Sequence, residues 1–106
     1  MSHPVKCALI TAFVSKTKDR FHDYNRALEL EERLALVAKM QGMSGVEVIF
    51  PYETKDATLL KTLLEKFKLQ MAAVNVNVKA EPEFRAGGLT STDPAIRKRA
   101  VQFIKD

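Results

Sequence analysis

Three apolar runs of strand length, residues 5–12, 45–51 and 70–78, alternate with three stretches of helical periodicity. That alternation constrains the fold more than any other feature of the chain. A strand, a helix and a second strand in succession build a βαβ unit, whose strands lie parallel and whose crossover is right-handed. The expected class is α/β, with three parallel strands alternating with helices.

The first helix is expected over residues 30–41. Leu30, Leu34, Val37 and Ala38 recur there at i, i+4, i+7 and i+8, which is one helical face, and Gly42 ends it. Its start is poorly marked, because Glu29 stands where Ser or Asp would cap better. Asp56 is the expected cap of the second helix, with Leu60, Leu63, Leu64 and Phe67 as its buried stripe. The third begins at Asp93 with Pro94 in the first helical position, and Ile96, Ala100, Phe103 and Ile104 form its apolar face. Two long connections, residues 13–28 and 79–92, leave the C-terminal ends of the first and third strands. The former is expected to be irregular or only partly helical. Loops this long are uncommon unless functional, and in α/β folds ligands bind at that end of the strands.

Composition narrows the class. With 46% hydrophobic and 28% charged residues the chain has enough apolar material for a core, which argues against disorder. The net charge of +4 is mild and its basic residues are scattered, so no nucleic-acid partner is expected, and Arg97-Lys98-Arg99 reads as a solvated helix face. No apolar run is long enough to span a bilayer, and residues 1–6 lack the pattern of a signal peptide. The single cysteine, Cys7, lies in an apolar run and is expected to be a small buried hydrophobe rather than a nucleophile. Together these features point to a cytoplasmic protein without a membrane partner.

The length of 106 residues suits a single domain. The chain stops directly after Phe103-Ile104-Lys105, with no Gly, Asn or Pro to close the last helix. Three apolar parallel strands also leave two edges unpaired, and the helices present can cover only one face. The expectation is a truncated slice of a larger closed sheet. A homo-oligomer or aggregate built through the exposed sheet is the other way to cover it.

The order of motifs carries a resemblance. Leu30-Glu31-Glu32-Arg33-Leu34 precedes Gly45-Val46-Glu47-Val48 and Phe50-Pro51-Tyr52; then come Ala72-Ala73-Val74-Asn75-Val76-Asn77 and Gly88-Leu89-Thr90-Ser91-Thr92-Asp93-Pro94-Ala95-Ile96-Arg97. This order resembles the xylose-isomerase-like superfamily of TIM barrels, the sugar phosphate isomerases and epimerases. The resemblance runs from about Val5 to Asp106 and corresponds to the first three β/α units of a (β/α)₈ barrel. It implies a sugar or sugar phosphate as substrate of the intact protein. It also implies a divalent metal (Mn, Mg, Co or Zn) whose acidic and histidine ligands come mostly from later strands. This chain is therefore expected to supply barrel wall and pocket rim, with no catalytic residue and no metal ligand of its own. Apurinic-site endonucleases share the superfamily and take histidine ligands from earlier strands. The absence of a histidine at the end of the third strand counts against that branch.

Five residues are candidates for substrate contact: Phe13, Glu47, Tyr52, Asn77 and Arg85. In the second strand Val46, Val48 and Phe50 share one face and Glu47 and Ile49 the other, so Glu47 is expected to point into the barrel if the valines pack on helices. There it either orients substrate or forms an interior hydrogen-bonded network. Asn75 and Asn77 alternate with Val74, Val76 and Val78 and are expected on the same interior face. Asn77 is the better candidate for a sugar hydroxyl, since an amide both donates and accepts, whereas Asn75 suits a structural bond to Glu47. Phe13 and Tyr52 follow the first and second strands, where an aromatic face can wall a carbon chain or simply pack a loop. Arg85 lies in the third loop, as a solvated side chain or as a partner for phosphate or carboxylate. Gly87-Gly88 reads as a tight turn, not a nucleotide fingerprint, and His22-Asp23 is too small a set for a metal. The competing reading of the whole is a small self-associating α/β binding module without catalysis.

Overall fold

The computed structural model describes residues 5–18, 20–78 and 80–106. Residues 1–4, part of the N-terminal segment considered above for a signal peptide, lie outside the described residues. The chain divides into two compact units, Met1–Asn75 and Val76–Asp106.

In the first unit, strand β1 (Cys7–Ile10) is followed by a 3₁₀ turn, Thr11–Val14, and by a short antiparallel hairpin of β2 (Thr17–Lys18) and β3 (Asp23–Tyr24). Helix α1 (Leu30–Lys39), strand β4 (Met43–Phe50), helix α2 (Ala57–Phe67) and strand β5 (Gln70–Val76) complete the order. The main sheet is parallel, with spatial order β1-β4-β5. Leu9 lies beside Val46 and Ile10 beside Glu47. The α/β class and the strand-helix alternation agree with the reading of the sequence. Residues 13–28 are largely irregular, as expected, with Phe13 and Val14 in the 3₁₀ turn; the hairpin of two paired two-residue strands was not foreseen. An ion pair of Lys16 and Asp23 at 3.0 Å ties its ends, and strands this short have no periodicity to betray them.

Each helix forms where its capping allows. Glu29 begins α1 after all, because the Glu32 carboxylate reaches back to accept the Glu29 backbone N–H at 2.9 Å. Asp56 accepts the Leu59 N–H at 2.9 Å, and α2 ends at Lys68 in the left-handed conformation. Both helices pack on one face of the sheet. Leu30, Leu34 and Val37 of α1 and Leu63 of α2 meet Val46 and Val48 of β4 and Leu69, forming the buried core. Ala38 was expected in this stripe but is exposed, since it lies about 80° around the helix from Leu30. Cys7, expected to be buried, is also exposed. It sits at the start of an edge strand, where one side has no neighbour.

In β5 it is Met71, and not Val74, that reaches the core: Met71 packs against it and Val74 is 51% exposed.

The second unit has a short 3₁₀ turn, Pro82–Phe84, and helix α3 (Pro94–Lys105). Asp93 caps α3, accepting the Ala95 N–H at 2.8 Å. Phe84 and Phe103 meet edge to face at 5.4 Å between ring centres, and Ala100 is fully buried. Arg99 pairs with Glu83 and lies over the Phe103 ring, while Arg97 donates to the Ser91 carbonyl at 2.6 Å. These two arginines are thus exposed but engaged, unlike the purely solvated face expected. Ile104 was expected on the apolar face but is 50% exposed, because so small a core covers little more than the Ala100 side of the helix.

Candidate functional site at the carboxyl edge of the sheet

The C-terminal ends of β1 and β4 converge on a buried carboxylate. After Phe50 the chain passes a cis bond to Pro51 and turns, and the Glu53 N–H returns to the Ile49 carbonyl at 2.9 Å. This turn directs the Glu53 side chain inward, where only 5% of it remains accessible. Arg33 of α1 donates to one of its oxygens at 2.8 Å, and the Ile49 N–H and the Thr11 hydroxyl donate to the other, the former at 3.3 Å. Thr11, fully buried, also lies 3.1 Å from the Glu47 carbonyl, so its single proton is shared between two acceptors. Arg33 spends a second donor on the Leu28 carbonyl at 2.9 Å. A buried charge pair needs this degree of hydrogen-bond saturation to persist. No buried side-chain polar atom among the described residues is left without a partner.

Glu47 stands on the other face of β4, away from the helices, and is partly buried. Asn75 at the end of β5 donates its amide to Glu47 at 3.0 Å. The expected Glu47–Asn75 bond is therefore present. Phe13 in the 3₁₀ turn after β1 is 65% exposed, and Tyr52 in the turn after β4 is 48% exposed. The chain thus carries two exposed aromatics immediately beyond these two strand ends. Asn77 and Arg85 belong to the second unit. There the Asn77 side-chain Oδ1 accepts the Ala80 N–H at 3.1 Å, and exposed Arg85 closes the Pro82–Phe84 turn through its own N–H to the Pro82 carbonyl at 3.2 Å.

Reading the sequence missed the Arg33–Glu53–Thr11 cluster. A signal for it existed. Arg33 occupies a helical position between Leu30, Leu34 and Val37, so a guanidinium borders the buried stripe and calls for a buried acid. Nothing local identifies Glu53 as that acid, because its partners lie 20 and 42 positions away.

As a metal-binding set these residues do not suffice. Glu53 is engaged by three donors, Glu47 by Asn75, and no group of three or more His, Cys, Asp or Glu among the described residues could hold one ion. No helix among the described residues is long and apolar enough to cross a membrane. The chain matches no protein-family model and no curated protein.

Proposed function

We propose that this chain is the N-terminal part of a (β/α)₈ barrel acting on a sugar or sugar phosphate as an isomerase or epimerase. The observation that carries the reading is the winding of the sheet. In β1-β4-β5 each strand is added beside the one before it, and α1 and α2 lie on the same face. Right-handed crossovers that continue in one direction stack their helices on one side and leave the other side as the inner wall of a barrel. A doubly wound sheet reverses direction and places helices on both faces.

On this reading Glu47 and Asn75 belong to the inner wall, and Phe13 and Tyr52 to the rim above it. A carboxylate beside an amide offers acceptors and donors suited to vicinal hydroxyls, and aromatic faces suit the C–H side of a sugar. Arg33, Glu53 and Thr11 hold the turns that carry the rim. The cytoplasm is the compartment proposed. A divalent metal would polarise the hydroxyl and carbonyl oxygens in such an enzyme. The donors here do not form its site, so no step is assigned through it.

The test uses the full polypeptide encoded by the reading frame that contains these residues. On this reading that frame runs on for about 150–200 codons past Asp106. With Mn²⁺ or Mg²⁺ and a panel of aldoses, ketoses and their phosphates in D₂O, deuterium should enter at the carbon beside the carbonyl, and Glu47→Gln should slow this about tenfold or more. No exchange with any sugar rejects the reading. Turnover by residues 1–106 alone rejects its fragment part. The second reading, a self-associating binding module, is favoured by the exposure of Val74 on the edge strand β5; a frame that ends at Asp106 would select it.

A further inference from the structure

We infer that the outward face of α1 is a two-fold interface, and that its occupant is the same face of a second copy of the chain. This surface is distinct from the sheet, and the inference does not depend on the sugar-enzyme reading.

A groove of about 430 Å³ lies between α1 and the segment before it: Val14, Asn25, Arg26 and Leu28 form one wall, and α1 forms the other with Glu32, Ala35, Leu36 and Lys39. These α1 positions fall at i, i+3, i+4 and i+7, a single helical face opposite the buried Leu30, Leu34 and Val37. Leu36 is 41% exposed at its centre. The pattern is self-complementary under a two-fold axis that passes between Ala35 and Leu36. With the helices antiparallel, each residue faces the partner position whose number sums with its own to the same total. Glu32 then meets the partner's Lys39, and Ala35 meets the partner's Leu36. Opposite charges face each other at both ends, about 10 Å apart along each helix. In the middle a large side chain faces a small one, which lets the helices approach. An isologous interface requires this symmetry, and a face with like charges at both ends would lack it.

Glu32 already accepts from the Glu29 N–H at 2.9 Å and from exposed Arg26 at 3.1 Å. A carboxylate has lone pairs for about four donors, so a further ammonium is accommodated. A single helix pair buries less than the roughly 1,000 Å² typical of stable specific interfaces. Association is therefore expected at dissociation constants on the order of 10–100 μM.

Sedimentation equilibrium of the chain from about 5 to 500 μM tests this. A reversible monomer–dimer equilibrium is expected. Each single substitution alters two symmetry-related contacts, so Lys39→Glu and Glu32→Lys should each weaken it about tenfold, while the double variant recovers it. Mixing the two single variants should give a heterodimer that neither forms alone. Glu32→Lys removes a cap interaction of α1. Should its circular dichroism show a lost helix, Lys39→Glu and Leu36→Gln decide the matter alone, since both side chains are exposed. A wild type that stays monomeric throughout overturns the inference. So does a dimer that neither Lys39→Glu nor Leu36→Gln weakens, because it must then use another surface.

Discussion

Glu53 is a carboxylate that has given up nearly all its water and is held by donors from α1, from β4 and from the turn after β1. Removing it leaves Arg33 mostly buried without its counter-charge. Glu53→Ala is therefore expected to cost about 3–5 kcal/mol in urea denaturation, and Glu53→Gln less, because the amide keeps the shape and one acceptor. A loss below about 1 kcal/mol for the alanine variant would show that the cluster relaxes freely. Glu32 behaves differently because it is exposed. The Glu29 N–H, and then the Arg26 guanidinium, hold its carboxyl below the ordinary value of 4.5. A lowered folded value means that its contribution is fully present above pH 4.5 and disappears as pH falls through the lowered value. An NMR titration of the Glu32 carboxyl should show this depression, and Glu29→Pro, which deletes the N–H, should reduce it. Of the residues that build the site, Glu47 and Asn75 were legible because strand alternation is local. The Arg33–Glu53 pair was not, because pairing across turns of unknown geometry has no local signature.

Among the elements, the helices were the easiest to locate, since caps and stripes repeat within a few residues. Asp56 and Asp93 each accept an N–H in the first turn of their helix, and replacing either with Ala should cost about 1 kcal/mol by thermal or urea unfolding. Gly45 was legible only as part of a motif. Its role is close approach: a Cβ there would lie 2.8 Å from the Gln70 carbonyl oxygen, so Gly45→Ala must push β4 away from β5. The expected loss is about 1–3 kcal/mol, with faster amide exchange in β5 than in β1; uniform exchange would show that the strain is shared. Strand limits were less legible than strand centres. Thr11 and Ala12 leave β1 for a 3₁₀ turn, and Val78 lies past the end of β5. Apolar composition continues through both points, whereas hydrogen bonding does not.

For the molecule as a whole, the exposed edge strand β5 separates the readings. In the chain alone Val74→Lys should change stability by no more than about 0.5 kcal/mol and improve solubility, because the side chain already meets water. In a longer protein whose further strands and helices cover β5, the same substitution should cost about 2 kcal/mol or more. The α/β class followed directly from the alternation of strands and helices; the direction of winding did not, because it depends on which side each new strand takes. That direction has a consequence for biosynthesis. Once β1 has emerged, β4 pairs with β1 and β5 with β4, each with a strand translated before it. The sheet can therefore be assembled in step with translation, with each strand after β1 finding its template already laid down.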